Sequence, residues 1–159
     1  NASAALYFYF KNADIFGADI NPDMFNYSSK RLMSFYVNSS SETSLKKDIL
    51  DKKLQFKIII EDASHMLKDQ IISLFHLFPV VQNGGYFIIE ELDFPEKRED
   101  MRIDQEFPDL KSILKNIKNG LDFESKYINE IEKKYFLENF DTIEIYKGNI
   151  NEIAIIKKK

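Results

Sequence analysis

The sequence predicts a doubly wound α/β fold with a mostly parallel β-sheet and a C-terminal antiparallel hairpin. Two observations carry this prediction. Short apolar stretches that are typical of buried strands alternate with segments in which apolar residues recur at helical spacing, and this is the order of βαβ units. Near the C-terminus, two strand-like stretches flank Lys147-Gly148-Asn149, a sequence that favours a tight turn between antiparallel strands.

The first third of the chain contains four candidate elements. Residues 4–10 are apolar and aromatic and fit either a helix or a strand. Residues 15–20 predict a short buried strand. Residues 24–35 predict a helix, because apolar side chains beginning with Phe25 lie near helical spacing, and residues 45–50 predict a short helical turn.

The centre of the chain has the clearest pattern. Residues 56–60, Phe-Lys-Ile-Ile-Ile, predict a buried strand. Residues 66–78 predict a helix because apolar residues share one face: Leu67, Ile71, Leu74, Phe75 and Phe78. Gly84-Gly85 predict a turn, and residues 86–89 predict the next buried strand.

The last part of the chain returns to helices and then to strands. The charged residues 93–102 predict a surface loop. Residues 110–117 and 125–136 predict amphipathic helices. Residues 142–146 and 152–156 predict the two strands of the terminal hairpin.

The composition limits the possible functions. With 159 residues and 18.7 kDa the chain has about the size of one domain, and we expect a single domain over residues 1–159. The absence of cysteine excludes disulfides and thiolate metal sites, and it fits a reducing, cytoplasmic compartment. A formal charge of −4 disfavours binding to nucleic acid or to a membrane surface. No apolar run reaches the roughly 18 residues of a membrane span.

Ligands of a doubly wound sheet bind at the carboxyl ends of its strands, so polar residues that follow strands are the functional candidates. Asp19 ends the second strand-like segment. A carboxylate there can accept hydrogen bonds from both ribose hydroxyls of a nucleotide cofactor. The sequence Asp-Ile-Asn-Pro is equally good turn chemistry, and position alone leaves both interpretations open.

A second candidate group follows the strand over 56–60, in Glu61-Asp62-Ala63-Ser64-His65. Capping of the next helix by Asp62 or Ser64 would explain one of these polar residues. Capping does not explain His65, because a helix N-terminus disfavours a cation. A neutral imidazole at that place suits a general base.

Glu90-Glu91 end the strand over 86–89. Two carboxylates at the end of a buried strand repel each other unless a cation is present, although one of them could point to solvent. If the two strands are neighbours, these carboxylates and Asp62 can converge. Carboxylate ligands suit Mg²⁺, Ca²⁺ or Mn²⁺ rather than zinc.

Two segments of the sequence resemble a known family. Glu-Asp-Ala-Ser-His at 61–65 and Gly-Gly-Tyr-Phe-Ile-Ile-Glu-Glu at 84–91 resemble motifs of class I S-adenosylmethionine-dependent methyltransferases. The most similar branch contains the metal-dependent sugar O-methyltransferases of macrolide biosynthesis and the cephalosporin-hydroxylase-like proteins. That branch has Asp-Asp-Gly-Ser-His and Gly-Gly-x-Tyr-x-Ile-Glu-Asp. The resemblance covers about residues 5 to 92 and resumes at the terminal hairpin.

The resemblance implies methyl transfer from S-adenosylmethionine to a hydroxyl of a small molecule, most often a sugar, on a Rossmann-like methyltransferase fold. It assigns His65 as the general base. It implies that Mg²⁺ or Mn²⁺ binds to Asp62, Glu90 and Glu91. It implies that the cofactor binds to four residues: Asp19, Ser39, Ser40 and Glu61. Residues 93–139 would then be a variable insertion on the acceptor side, and a homo-oligomer is compatible with this assignment.

The sequence departs from the family pattern at several positions. Ala63 replaces a glycine and Glu91 replaces an aspartate. Residues 38–41 are Asn-Ser-Ser-Ser where the family has Gly-Asp-Gln-Ser, so this chain lacks the usual acid near the adenine. The family's first strand and Gly-rich loop have no counterpart, so we expect an N-terminally truncated domain. Two alternatives follow: a nicotinamide-dependent oxidoreductase on a similar sheet, or an interaction module without cofactor binding.

Overall fold

The computed structural model describes residues 2–24 and 28–159. The chain divides into two compact units, Asn1–Lys52 and Lys53–Lys159. The single domain over residues 1–159 stays a prediction. No helix in the described part of the chain has the length and apolarity that crossing a membrane requires.

Two α-helices and two strands lie in the described residues of the first unit. In chain order they are α1 Ala2–Tyr9, β1 Ile15–Asp19, β2 Leu32–Tyr36 and α2 Glu42–Asp48. β1 and β2 pair in parallel, with Ile15 opposite Leu32 and Asp19 opposite Tyr36. The strand predicted over 15–20 is present as β1, but its residues are partly or fully exposed rather than buried. The helical turn near 45–50 is confirmed, and residues 4–10, which fitted either a helix or a strand, lie mainly in α1.

The predicted helix over 24–35 is wrong. Its last residues form β2, and Phe25 lies outside the described residues. β2 pairs with β1 over five positions, so hydrogen bonds to a strand distant in sequence decide its conformation. Apolar residues at helical spacing cannot reveal such a partner.

The second unit holds the other elements. They are β3 Phe56–Glu61, α3 Leu67–Leu77, β4 Val81–Ile89, α4 Phe94–Lys97, α5 Leu110–Lys118, α6 Glu130–Asn139, β5 Phe140–Lys147 and β6 Glu152–Lys158. The sheet order is β3-β4-β6-β5. β3 and β4 are parallel, whereas β6 is antiparallel to both β4 and β5. The terminal hairpin is therefore confirmed.

α3 forms the centre of the second unit's core. The five residues predicted to share its apolar face are all fully buried. The rings of Phe75 and Phe78 pack on Phe136 of α6, with ring centroids 4.9 and 4.7 Å apart. The predicted helix over 66–78 is confirmed, and a 3-10 turn at Phe78–Val80 continues it.

The strand predicted over 56–60 is present but not fully buried. Ile58 and Ile60 are 43% and 42% exposed, and because they are two residues apart they lie on the same face of β3. The turn predicted at Gly84-Gly85 is instead an irregularity inside β4, where Phe56 pairs with Val81 but Ile58 pairs with Tyr86. A Cβ on Gly85 would lie 2.7 Å from the Lys57 carbonyl oxygen, so the strands approach there too closely for a side chain.

One predicted loop and one predicted helix start also differ from the structure. The surface loop expected over 93–102 contains α4 and a 3-10 turn at Glu99–Met101, and Asp93 is buried. The helix expected from residue 125 begins at Glu130. A capping box sets that start, since Asn129 accepts from backbone N–H groups and Glu132 bonds back to the Asn129 N–H.

Lys158 of β6 ties the sheet to the end of α3. The residue is 4% exposed. Its Nζ donates to the carbonyl oxygens of Pro79 and Val81 at 3.1 and 2.8 Å and to the Tyr135 hydroxyl at 2.8 Å. Lys158 therefore supplies a charged donor to carbonyl oxygens at the end of α3.

Replacing Lys158 by methionine should destabilise the fold. Lys158→Met keeps an apolar stem but leaves the carbonyl oxygens without their donor, which costs about 1–3 kcal/mol of unfolding free energy. Lys157→Met is the matched control, because Lys157 makes an exposed ion pair with Asp141 and such pairs contribute about 0–1 kcal/mol. Urea denaturation measures the unfolding free energy of both variants. Equal decreases would contradict the proposed contribution of the Lys158 hydrogen bonds.

Phe136 should be among the most sensitive core positions. Phe136→Ala removes a fully buried ring that contacts Phe75 and Phe78, and such truncations cost about 3–5 kcal/mol. Ile131→Ala on the same helix removes a side chain that is 80% exposed and should change stability by no more than about 0.5 kcal/mol. Thermal unfolding of both variants tests the difference. A Phe136→Ala protein as stable as Ile131→Ala would contradict this packing.

Candidate metal and catalytic site

The two strands that carry the candidate motifs are neighbours. β3 and β4 run parallel with Glu61 opposite Ile89, and the Glu90 N–H donates to the Glu61 carbonyl at 3.0 Å. Both strands therefore end at the same sheet edge, where Asp62 follows one and Glu90 the other. This is the condition under which the sequence predicted that the carboxylates converge.

Asp62, His65 and Glu91 form a cluster at this edge. His65 Nε2 lies 2.8 Å from Glu91 Oε2 and 3.5 Å from Asp62 Oδ1. One ligand atom from each of the three residues lies within 4.8 Å of the others. Asp62 is about half exposed, and His65 and Glu91 are partly buried, so the cluster opens to solvent on the Asp62 side.

Glu90 is electrostatically coupled to the cluster. Burial raises the pKa of Glu90 above its usual value, the charges of Asp62 and Glu91 raise it further, and His65 lowers it. A raised carboxyl pKa means that the negative form is disfavoured where it stands. A divalent cation would offset this repulsion, and carboxylate oxygens are the donors that Mg²⁺ and Mn²⁺ prefer. The residues present therefore fit the expected cation.

His65 and Glu91 both have backbone conformations that non-glycine residues rarely adopt. Their φ angles are 57° and 53°, in the left-handed region. Ser64 donates its hydroxyl to Asp69 Oδ2 at 2.6 Å and accepts from the Met66 N–H at 3.2 Å. Ser64 thus forms a turn before α3 rather than a helix cap, and Met66 at the N-cap position has no side-chain cap.

The hydrogen bonding of His65 defines which nitrogen faces the cluster. Nε2 points at the carboxylates, whereas Nδ1 is buried and has no hydrogen-bond partner among the described residues. An ionised carboxylate only accepts, so Nε2 carries the proton in the pair with Glu91. Proton uptake at Nε2 requires the neutral tautomer with its proton on Nδ1.

Two residues that the sequence did not single out contact the cluster. The ring of Phe94 meets the His65 ring edge-on, with centroids 5.5 Å apart, and the Phe94 N–H donates to the Glu91 carbonyl at 3.0 Å. Gln70 Nε2 donates to the same carbonyl at 3.2 Å. Phe94 lies in a segment that was predicted to be a charged surface loop, so its sequence gave no sign of this contact. A glutamine between Leu67 and Ile71, on the buried side of a helix, was a signal that could have revealed Gln70.

Similar proteins were found by sequence and by structure, although no family model matches the chain. An 8-demethyl-8-(2-methoxy-alpha-L-rhamnosyl)-tetracenomycin-C 3'-O-methyltransferase from Streptomyces olivaceus is 31% identical over 84 residues, which are 53% of this chain and 21% of that protein. An 8-demethyl-8-alpha-L-rhamnosyl tetracenomycin-C 2'-O-methyltransferase from the same organism is 29% identical over 84 residues, or 53% of this chain and 22% of that protein.

Among solved structures, the MycE methyltransferase from the mycinamycin biosynthetic pathway, in complex with Mg, SAH and mycinamycin VI, matches 96% of this chain with a TM-score of 0.73 at 21% identity. The chain has the fold of this methyltransferase. The expected α/β fold and the resemblance to sugar O-methyltransferases are thereby confirmed. This methyltransferase-fold chain spans about a fifth of the length of the curated relatives and 38% of the MycE chain.

Glu61 is one of the buried acids of the second unit. Its side chain accepts from the Ala63 N–H at 3.3 Å, and its Oε2 has no partner among the residues described. Burial raises the pKa of Glu61 to about 7, Ala63 lowers it, and the charges of Asp62, Asp69 and Glu90 raise it. A buried carboxyl with one unused oxygen fits a ligand contact, and the cofactor role of Glu61 stays a prediction.

The other cofactor residues predicted for the methyltransferase fold lie in the first unit. Asp19 ends β1, and its Oδ1 accepts from the Asn21 N–H at 2.8 Å. The expected turn chemistry is therefore present, and ribose binding stays a prediction. Ser39 and Ser40 lie in the turn between β2 and α2, where the Ser40 N–H donates to Asn38 Oδ1 at 3.0 Å.

Proposed function

We propose that this chain takes part in S-adenosylmethionine-dependent, cation-assisted O-methyl transfer to a hydroxyl of a small molecule, and that this acceptor is a sugar. The observation that carries the proposal is the cluster of Asp62, His65 and Glu91 at adjoining ends of two parallel strands. The similarity to rhamnosyl O-methyltransferases supports the acceptor class, and the MycE complex with Mg and SAH supports the cofactors.

Asp62, Glu90 and Glu91 would hold Mg²⁺ or Mn²⁺. A divalent cation in this place supplies positive charge that lowers the pKa of an acceptor hydroxyl. The three carboxylates contribute the negative charge that retains the cation. Asp62 and Glu91 meet in the cluster with His65, and Glu90 follows β4 directly at the same sheet edge, beside the end of β3.

His65 is proposed to take the acceptor's proton at Nε2. S-adenosylmethionine carries an already activated methyl group, so the protein contributes mainly orientation and proton removal. The ring edge of Phe94 limits rotation of the imidazole. Nε2 lies 2.8 Å from Glu91 Oε2, on the side where Asp62 is open to solvent, and it accepts a proton in the tautomer that carries its own proton on Nδ1.

Cofactor binding is proposed separately for the two units. In the first unit, Asp19 would bind the ribose and Ser39 and Ser40 would lie near the adenine. In the second unit, Glu61 would contribute its unused Oε2. Asp19 would also suit a nicotinamide enzyme, but the carboxylate cluster favours the metal-assisted reaction because hydride transfer needs no such cation.

Loss of one carboxylate should weaken cation binding. Asp62→Asn and Glu91→Gln each remove one anionic ligand, so the Mn²⁺ dissociation constant should rise at least about tenfold, since ligand charge sets affinity at such sites. Glu99→Gln is the control, because it removes an equal charge from an exposed residue outside the cluster. Calorimetric titration with Mn²⁺ measures all four proteins, and unchanged affinity in both cluster variants would refute the metal site.

Loss of His65 should slow the reaction without weakening cofactor binding. A general base typically contributes about 10² to 10⁴ in rate, so His65→Ala should lower kcat by that range. His76→Ala is the control, because His76 pairs with Glu132 between α3 and α6. Transfer of a labelled methyl group measures kcat, and melting temperature separates catalysis from stability. A near-normal kcat would remove His65 from the mechanism.

A further inference from the structure

The His65–Glu91 pair depends on two unfavourable backbone conformations. Both residues have positive φ angles, which non-glycine residues keep only when their surroundings hold them there. The loops that carry them follow different strands, so each needs its own support. Both supports come from consecutive residues in the first turn of α3.

Asp69 supports the His65 loop, since its Oδ2 accepts the hydroxyl of Ser64 at 2.6 Å. Gln70 supports the Glu91 loop, since its Nε2 donates to the Glu91 carbonyl at 3.2 Å. The Phe94 N–H donates to the same carbonyl at 3.0 Å. The Glu91 peptide is therefore held both by its own following turn and by α3.

Stability alone does not explain a glutamine at position 70. Gln70 is 0% exposed, and its Oε1 has no hydrogen-bond partner in the part of the chain that the structure describes. An apolar side chain of the same length would avoid burying an unpaired oxygen. The amide orientation follows from its contact, because only the NH₂ group can pair with a carbonyl oxygen.

We infer that Gln70 is a positioning residue that holds the Glu91 backbone so that Oε2 meets His65 Nε2 at the cluster. The inference rests on the proposed function, in which this pair serves cation binding and proton transfer. Gln70 acts through Glu91 and does not itself reach the acceptor. Gln70 thus resembles residues that hydrogen-bond to a metal ligand without contacting the metal. Loss of such a residue weakens metal binding by about 10- to 100-fold.

The test replaces the amide with an isosteric apolar side chain, Gln70→Met. The chain has two histidines, so long-range ¹⁵N–¹H spectra of the imidazoles resolve His65 and use His76 as an internal reference. We expect the His65 signals to move toward those of a solvated imidazole, the His76 signals to stay, and the melting temperature to stay or rise. An unchanged His65 spectrum would overturn the inference.

A second measurement connects Gln70 to the cation. The Mn²⁺ dissociation constant of Gln70→Met should rise about tenfold or more. Gln82→Met, the same exchange at an exposed residue of β4, should leave both the spectrum and the affinity unchanged. Equal Mn²⁺ affinity in Gln70→Met and the unsubstituted protein would count against the positioning role.

The design separates this inference from the proposed function. If the unsubstituted protein binds no Mn²⁺, the proposed function fails, while the imidazole spectrum, which needs no metal, still decides whether Gln70 positions the pair. Gln70→Leu provides a second variant if the methionine does not fold. Loss of cooperative unfolding in both would overturn the inference, because it would assign Gln70 to stability.

Discussion

The parallel pairing of β3 with β4 is the constraint on which the site depends. With Glu61 opposite Ile89, both strands deliver their following residues to one sheet edge, and the Glu90–Glu61 backbone hydrogen bond continues the pairing one step further. A shift of one residue would turn every side chain to the other face of the sheet. The register thus decides which carboxylates can meet, before any ligand is considered.

The same edge concentrates negative charge that the protein's own residues only partly neutralise. Burial raises the pKa of Glu61 to about 7 and also raises that of Glu90. His65 pairs with Glu91, but as a base it must keep Nε2 free to accept a proton and then cannot donate one to Glu91. Charged groups held close together destabilise the fold and are typical of functional sites. A bound cation would offset part of the repulsion between these carboxylates.

How much was predictable differs between the two units. In the second unit, α3 was predicted correctly because its apolar residues repeat over three turns and all pack into one core. In the first unit, the helix over 24–35 was wrong because β2 is defined by pairing with β1. Helices made by local spacing can be identified from sequence, whereas strands defined by a distant partner often cannot.

The polar residues at the strand ends, the helix behind them and the terminal hairpin can be recognised in the amino-acid sequence, because each depends on local spacing or turn chemistry. Only the folded chain shows that Glu91 rather than Glu90 pairs with His65. It also shows that Gln70 and Phe94 hold the Glu91 carbonyl. The direction of a side chain depends on its own φ and ψ angles, and those are fixed by partners far away in sequence that only the folded chain brings into contact.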